Sequence, residues 1–248
     1  MTGASSGIGT EMARIFAQRG RSLVLVARRE DRLAGLAHEL ARPEIAVRTI
    51  VLDLERPEAA AELAARLRDD GVAIDTLVNN AGFGLRGTFA TLPADDQAAM
   101  VELNIATLTK LCRLILPGLL DRGRGGIINV ASTAAFQAVP YMAVYAGTKA
   151  YVLSFSEALH EECRGRGVVV TALCPGPTAT EFTKRADMEK SKLFERAMDA
   201  PTVARLGIDG HEAGRAVVIT GASNKVGAVG AKLAPRALVR RLAGWLQG

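Results

Sequence analysis

Residues 2–9 read Thr-Gly-Ala-Ser-Ser-Gly-Ile-Gly and run directly into an apolar helical pattern that ends near Arg19. Glycines permit a tight turn and a close approach of the backbone to a ligand. The beginning of the following helix offers free N–H groups and the positive end of its dipole to a pyrophosphate. The spacing is Gly-x-x-x-Gly-x-Gly rather than Gly-x-Gly-x-x-Gly, so the loop alone could be an ordinary turn.

Around this loop, short apolar runs alternate with longer helical patterns. Continuous apolar runs are typical of strands that are buried on both faces of a parallel sheet. We expect strands at 22–27, 46–52, 74–79, 126–132, 168–174 and 216–220. Helices are expected at 8–19, 29–41, 57–69, 96–120 and 143–164. The alternation predicts an α/β fold with a doubly wound parallel sheet, in a single domain that spans residues 1–248.

Two further segments have their own interpretation. The charged stretch 178–205 has no strand pattern and is interpreted as an inserted helical lid over the substrate. The stretch 219–224, Ile-Thr-Gly-Ala-Ser-Asn, repeats the beginning of the glycine loop but not its later glycines. We therefore interpret that similarity as coincidental.

The composition excludes several classes of protein. No apolar run reaches the roughly 18 residues of a membrane span, and the best candidate, 108–120, is interrupted by two cations and a proline. The charged and apolar regions of a signal peptide are absent at the N-terminus. The cysteines are scattered, which predicts buried free thiols in a reducing cytoplasm rather than disulfides or zinc; they are Cys112, Cys163 and Cys174. No cluster of acids and histidines indicates a metal site, and His38, His160 and His211 are expected at the surface.

The net charge of +5 is localised at the C-terminal end of the chain. Residues 213–248 carry six cations and no acid, so the rest of the chain is close to neutral. We expect a basic helix at 232–246, within a basic segment 225–248. Such a helix could be solvated or face another subunit, or it could contact a membrane surface or an acidic partner. Nucleic-acid binding is not expected, because no known binding module accompanies the charge.

The end of the first predicted strand bears on the cofactor. About twenty residues past a dinucleotide-binding loop, Asp or Glu binds the ribose of NAD, whereas arginine binds the 2′-phosphate of NADP. This chain has Ala27-Arg28-Arg29 there, and its first acid is Glu30. Arginine–phosphate hydrogen bonds are charge-assisted and worth roughly 1.5–3 kcal/mol each. The two arginines therefore favour NADP(H), although they could also simply begin an exposed helix.

Tyr145 and Lys149 are four residues apart, a spacing that places both on one face of a helix. A free tyrosine has a pKa of about 10, and a neighbouring fixed cation lowers the free energy of its phenolate. The pair is therefore a candidate proton relay. Tyr-x-x-x-Lys also occurs by chance on exposed helices, so the pair must be judged with the other motifs.

Together these residues resemble the classical short-chain dehydrogenase/reductase family, over most of the chain. The matching residues, in order, are the loop at 2–9, Asp53, Asn79-Asn80-Ala81-Gly82, Asn104, Ser132, Tyr145-x-x-x-Lys149 and Pro175-Gly176. The resemblance implies a Rossmann-type fold and a homodimer or homotetramer. It also implies a hydride transfer between nicotinamide and a carbonyl or secondary alcohol.

The resemblance also implies a role for each matching catalytic residue. Tyr145 would protonate the carbonyl oxygen during reduction, and Ser132 would polarise that oxygen. Lys149 would hold the nicotinamide ribose and lower the pKa of the tyrosine. Asn104 would anchor a water that links Lys149 to solvent. Each of two residues could instead have a purely structural role. The Ser132 hydroxyl could only cap a turn, and Asn104 could be a surface residue whose hydrogen bonds are all made.

The implied cofactor site draws on all parts of the chain. Asp53 would meet the adenine ring unless it only caps the helix near Pro57, and Pro175-Gly176 would line the nicotinamide. The expected NADP(H)-binding residues are Gly3, Ser5, Ser6, Gly7, Ile8, Gly9, Arg28, Arg29, Asp53, Leu54, Asn80, Ala81, Gly82, Tyr145, Lys149, Pro175, Gly176, Thr178 and Thr180.

One departure from the family pattern concerns the first strand. Family members carry an apolar strand before the Thr-Gly, whereas this chain starts at Met1. We therefore expect the first, central strand to be truncated or the start to be wrongly assigned.

The sequence thus predicts an NADP(H)-dependent oxidoreductase for a hydrophobic carbonyl, steroid-like or long-chain acyl. An apolar lid is expected from Phe182, Met188, Leu193 and Phe194. Two alternatives remain: a 3-oxoacyl thioester reductase, whose acidic carrier would suit the basic C-terminal segment, and a dinucleotide-binding sensor or scaffold that does not catalyse.

Overall fold

The structure, a computed structural model, describes residues 1–185 and 197–247. Its strands are β1 (Leu23–Ala27), β2 (Val47–Val51), β3 (Thr76–Asn79), β4 (Gly125–Val130), β5 (Val168–Cys174), β6 (Thr178–Ala179), β7 (Met198–Asp199) and β8 (Val217–Ile219). Its α-helices are α1 (Gly7–Gln18), α2 (Glu30–Leu40), α3 (Ala59–Asp69), α4 (Ala94–Val101), α5 (Leu108–Arg122), α6 (Ala143–Glu162), α7 (Phe182–Arg185), α8 (Ala200–Glu212), α9 (Ala222–Leu233) and α10 (Arg236–Gln247).

The main sheet is parallel and doubly wound, as predicted. Strands β2 and β1 pair on one side, and β3, β4, β5 and β8 follow one another on the other. Met1 and Thr2 lie between the two groups: the Val26 N–H donates to the Met1 carbonyl, and the Thr2 N–H donates to the Val78 carbonyl, both at 2.9 Å. The position where we expected a first strand therefore holds this two-residue bridge.

Alternating side chains of each strand enter two different cores. In β4, Ile127 packs with the helices α3, α5 and α6, whereas Ile128 packs with α1, α2 and α8. In β5, Val170 enters the first core and Leu173 the second. Because both faces are covered by helices, the strands β1, β4 and β5 are buried and mostly apolar, and this explains why they were recognisable as continuous runs. The edge strand β2 is different, since its Arg48 and Thr49 are exposed.

The helix predicted at 96–120 is longer and irregular. It begins at Ala94, ends at Arg122 and contains a π-helical turn at Glu102–Thr107. Among the residues that the structure describes, the run 94–122 is long and apolar enough to cross a membrane by length and composition alone. Core helices pass the same test, and this helix buries Met100, Leu111 and Leu119 against the rest of the protein.

Two predicted segments differ from expectation. The basic C-terminal helix, expected at 232–246, is two helices, because the residue before Pro235 is pushed out of the helical region: Ala234 has ψ of 152°. The stretch 178–205 is not purely a helical lid, since β6 and β7 pair in parallel and α8 buries Val203 and Ala204 in the core. Two-residue strands carry no periodic pattern, so they could not be predicted from the sequence.

The histidines differ among themselves. His38 is exposed, as expected, and His160 is half-buried with its Nδ1 2.8 Å from the Val170 carbonyl oxygen. The prediction was wrong for His211, which is buried against the backbone of Gly126. The three cysteines are free and buried, as predicted.

Candidate active site

A cleft of about 1080 Å³ lies at the carboxyl ends of the sheet strands. In open α/β sheets this is where ligands bind. Every predicted cofactor residue except Gly9 lines it, and so does Ser132; the predicted residues that line it are Gly3, Ser5, Ser6, Gly7, Ile8, Arg28, Arg29, Asp53, Leu54, Asn80, Ala81, Gly82, Ser132, Tyr145, Lys149, Pro175, Gly176, Thr178 and Thr180. The fold thus brings the predicted cofactor-binding residues and the predicted catalytic residues Ser132, Tyr145 and Lys149 to one site.

The glycine loop is held by the turn that follows β3. The Asn80 side-chain amide donates to the carbonyls of Thr2 and Gly3, at 3.2 and 3.0 Å. Gly3 has a φ of +64°, and a Cβ there would be 2.7 Å from Asn80 Nδ2. Gly9 does not line the cleft, but a Cβ on it would be 2.5 Å from the same Nδ2 atom. Its role is therefore to let helix α1 approach the loop.

The arginines after β1 face the cleft and are paired with acids. Arg28 lies 3.0 Å from a Glu55 oxygen and 3.9 Å from an Asp53 oxygen. Arg29 donates to the Ser5 hydroxyl of the glycine loop at 3.1 Å. Both guanidinium groups are about half exposed, so a dianionic phosphate can reach them from the cleft.

An ion-pair cluster crosses the cleft at the arginines. Glu181, on the loop between β6 and α7, lies 2.8 Å from Arg29 and 2.5 Å from Arg32. The hydrogen bonds from the two arginines lower the pKa of the Glu181 carboxyl below its ordinary value. Sequence analysis did not identify Glu181 or Arg32, although both line the cleft.

Ser132, Tyr145 and Lys149 meet at the other end of the cleft. Ser132 precedes a short 3₁₀ helix, and its hydroxyl accepts a hydrogen bond from the Ala134 N–H at 3.1 Å. Tyr145 and Lys149 lie on one face of α6, with the Lys149 ammonium 5.8 Å from the centroid of the tyrosine ring. The ammonium donates to the Val130 carbonyl at 2.7 Å, which fixes it at the end of β4.

Burial controls the protonation of this pair. It raises the pKa of Tyr145 to about 12, against the smaller lowering effect of the hydrogen bond with Ser132. It lowers the pKa of Lys149 to about 8. The expected lowering of the tyrosine pKa is therefore not found in this structure, because desolvation of the phenolate outweighs the hydrogen bond with Ser132. Near pH 7 the phenol keeps its proton, and the lysine remains mostly charged.

Asn104 lies behind the cleft, in the π-helical turn. Its amide donates to the Phe83 carbonyl at 2.9 Å and to the Thr148 hydroxyl at 3.1 Å, and its oxygen accepts from the Phe83 N–H at 3.2 Å. A Cβ on Gly82 would be 2.8 Å from the Asn104 oxygen and 3.6 Å from the Lys149 nitrogen. Asn104 therefore ties the turn after β3 to α6 beside Lys149. Asn104 is buried with its amide hydrogen-bonded, so it is not the surface residue of the structural alternative.

The substrate end of the cleft is apolar. Phe182 packs on Tyr145, with ring centroids 5.3 Å apart. Further apolar residues that line the same cleft are Ala134, Val139, Met142, Met198, Ala228 and Ala243. Phe182 thus occupies the position expected of a lid residue, whereas the other predicted lid residues, Met188, Leu193 and Phe194, lie outside the described residues.

The second Thr-Gly-Ala-Ser stretch also reaches the cleft. Gly221 has a φ of +88° and precedes α9, as Gly3 has a positive φ before α1. Asn224 donates to the Thr220 carbonyl at 2.7 Å and packs directly against Gly176. The similarity does not extend to the later glycines, so the stretch is not a repeat of the glycine loop. Both stretches nevertheless form a turn that leads into a helix at the same cleft, which we did not predict.

Comparison with known proteins agrees with this geometry. A family model described as short chain dehydrogenase matches residues 1–191. Sulfoacetaldehyde reductase 2 of Chromohalobacter salexigens is 39% identical over 189 residues, which cover 74% of this chain and 73% of that protein. The very-long-chain 3-oxoacyl-CoA reductase of Bos taurus is 33% identical over 189 residues. Those residues are 74% of this chain, which spans only 60% of the bovine protein.

Solved structures match over nearly the whole chain. A short-chain dehydrogenase from Sphingobium yanoikuyae, in complex with NADPH, is 34% identical with a TM-score of 0.84, over 92% of this chain and 90% of that one. A 3-ketoacyl-(acyl-carrier-protein) reductase from Brucella melitensis, complexed with NADH, is 27% identical with a TM-score of 0.77, over 88% of this chain and 94% of that one.

Proposed function

We propose that this chain, which belongs to the short-chain dehydrogenase family, reduces an apolar ketone or oxidises the corresponding secondary alcohol. NADP(H) is its preferred cofactor. The observation that carries this proposal is the single cleft. It joins a glycine loop with two arginines at one end to Ser132, Tyr145 and Lys149 at the other.

The residues at the glycine end fit a dinucleotide. The positive φ of Gly3 and the close approach of Gly9 to Asn80 leave no room for a larger side chain at these two positions, so the loop packs tightly against the beginning of α1. There, N–H groups and the helix dipole favour a pyrophosphate. Arg28 and Arg29 would hold the 2′-phosphate, and Lys149 would hold the nicotinamide ribose. Asp53 and Leu54 would border the adenine.

The catalytic end suits protonation of a carbonyl oxygen. The hydride for the carbonyl carbon comes from bound NADPH. Tyr145, which keeps its proton at neutral pH because burial raises its pKa to about 12, donates that proton to the oxygen. The Ser132 hydroxyl donates a hydrogen bond to the same oxygen, and the charged Lys149 stabilises the tyrosinate that is left behind.

A fluorescence titration with NADPH and, separately, NADH tests the cofactor preference. We expect saturable binding of both, with NADPH at least about tenfold tighter, because each charge-assisted arginine–phosphate hydrogen bond adds one to two decades. Equal binding would contradict the role of the arginines and leave the reductase chemistry standing.

A second candidate substrate is a 3-oxoacyl thioester. It is supported by the relatives that act on 3-oxoacyl-CoA and 3-ketoacyl carrier protein, together with the apolar substrate end around Phe182. NADPH oxidation with 3-oxoacyl-CoA of increasing chain length tests it: the rate should rise with chain length for an apolar site. Turnover of simple apolar ketones without any thioester activity would favour the first candidate.

A further inference from the structure

The last two helices, α9 and α10, expose apolar side chains in two stripes. On α9, Val226, Val229 and Leu233 follow a spacing of three and four residues, and on α10, Leu238, Leu242 and Trp245 follow one of four and three. These spacings place each set on one helix face. All six residues are between 55% and 82% exposed. We call α9 and α10, residues 222–247, the C-terminal helical pair.

The same helices carry only positive charge. Their cations are Lys225, Lys232, Arg236, Arg240 and Arg241, and the sequence contains no acid between Ala213 and Gly248. In the part of the chain that the structure describes, none of these five cations forms an ion pair with a carboxylate. Elsewhere on the surface, arginines are commonly paired, as Arg14 is with Glu39.

The C-terminal helical pair packs on the rest of the protein through its inner faces, not through the exposed apolar stripes. The inner faces bury Ala228 and Ala243, which line the cleft. The Lys232 ammonium lies 5.3 Å from the Phe136 ring centroid, and a Cβ on Gly244 would be 3.3 Å from Pro140. The outward apolar stripes therefore remain available to another surface.

We propose that the C-terminal helical pair binds the surface of an anionic lipid bilayer. Helices with an apolar face and a basic polar face insert their apolar side chains at the headgroup boundary, and anionic lipids attract the cations. A second copy of this chain is a poorer occupant, since a two-fold contact would set two acid-free basic surfaces against each other. The cations favour an anionic surface, and the exposed apolar stripes favour a lipid bilayer over a polar acidic protein.

This position has a consequence for the substrate, and the consequence rests on the proposed function. Ala228 and Ala243 are on the inner faces of the same two helices whose outer faces would contact lipid. A carbonyl compound that partitions into the bilayer would therefore be concentrated beside the apolar end of the cleft. The substrate class is then a membrane-partitioned ketone or acyl chain.

Co-sedimentation with vesicles tests the binding without any turnover. The purified chain is mixed with vesicles of phosphatidylcholine alone or of phosphatidylcholine with phosphatidylglycerol, at low and high salt. We expect binding to the anionic vesicles, with a loss at high salt. Leu238→Ser/Leu242→Ser/Trp245→Ser should abolish binding, and Arg236→Gln/Arg240→Gln/Arg241→Gln should weaken it by about fivefold per cation removed.

Matched controls remove similar groups elsewhere: Phe89→Ser for an exposed apolar residue, and Arg21→Gln/Arg42→Gln/Arg68→Gln for charge. They should bind as the parent does, and all variants should keep its melting temperature and NADPH affinity. The proposal is overturned if anionic vesicles bind no better than neutral ones, or if the controls lose as much binding. It is also overturned if the chain instead binds acyl-carrier protein, or if it forms a dimer that the Leu238/Leu242/Trp245 variant dissociates. Vesicle binding without any ketone reduction would leave this proposal standing and contradict the proposed function.

Discussion

At the scale of single residues, Gly9 shows how closely the glycine loop is packed. A Cβ at this position would meet the Gly3 carbonyl oxygen and Asn80 Nδ2. We expect Gly9→Ala to destabilise the fold by about 1–3 kcal/mol and to weaken NADPH binding, because either the loop or α1 must shift. Thermal melting and a cofactor titration measure the two effects.

Gly35→Ala is the matched control for this change. Gly35 lies within α2, and a Cβ there would meet nothing within 4 Å. Alanine in a helix interior is more stable than glycine by roughly 0.5–1 kcal/mol. A Gly9→Ala protein that melts and binds like the Gly35→Ala protein would show that the loop has no such constraint.

Glu181 should reduce the affinity for NADPH, because its carboxylate occupies Arg29, one of the two arginines that would bind the 2′-phosphate. We expect Glu181→Gln to tighten NADPH binding about two- to fivefold, the size of a partly exposed ion pair, and to leave NADH binding unchanged. Paired titrations measure this ratio. The exposed Glu44→Gln controls for net charge, and equal tightening of both cofactors would contradict the competition.

Which residues form the site was only partly predictable. Ser132, Tyr145 and Lys149 were predicted from spacing and family resemblance, and the structure brings them together. Glu181 could not be predicted, because its partner Arg29 is 152 residues away in the sequence. Such a pair depends on the fold and leaves no local pattern. The raised pKa of Tyr145 was also unpredictable, since it follows from burial in the finished cleft.

At the scale of elements, the predictable features were those with a long period or a continuous apolar run. The six main strands and the five helices predicted between them were located within a few residues, since each buries an apolar surface on the sheet. Helix α8, between β5 and β8, was not predicted as a core helix. The short pair β6–β7 and the break at Pro235 were missed. A strand of two residues carries no periodic pattern. Pro235 should have predicted a helix end at the residue before it.

Helix α8 places a buried histidine against the sheet and gives the fold a pH dependence. Thr171 donates its hydroxyl proton to the Arg215 carbonyl, so its oxygen accepts from His211 Nδ1–H, at 2.9 Å. Burial lowers the pKa of His211 to about 4, and Glu212 opposes this weakly. The folded protein therefore keeps this imidazole neutral at a pH where the unfolded chain already binds a proton.

We expect the free energy of unfolding to fall as the pH drops from about 6.5 towards 4, by up to roughly 3 kcal/mol from this residue. Above pH 6.5 the contribution is constant, because neither state is protonated. Urea unfolding at several pH values measures it. His211→Gln should be less stable but flatter across this range, whereas His38→Gln, at an exposed position, should follow the parent. A parallel dependence in all three proteins would contradict the assignment.

At the scale of the whole molecule, the cleft is assembled from segments at both ends and the middle of the chain. The glycine loop, the arginines after β1, Ser132 after β4, the pair Tyr145 and Lys149 on α6, and the turn before α9 meet only because the strands are parallel and end at one edge. We propose that this edge is a reductase site in which Tyr145 supplies the proton.

This role of Tyr145 is tested by steady-state NADPH oxidation by Tyr145→Phe, with apolar ketones and 3-oxoacyl-CoA as substrates. Tyr151→Phe is the matched control, since Tyr151 is on the same helix with its hydroxyl 2.9 Å from Thr109. We predict that Tyr145→Phe lowers kcat by at least about a hundredfold, the usual size of a general-acid contribution, while its NADPH affinity and the activity of Tyr151→Phe stay at the parent's values. A Tyr145→Phe protein with undiminished turnover would contradict the account, as would a parent that binds NADPH and reduces none of these carbonyls.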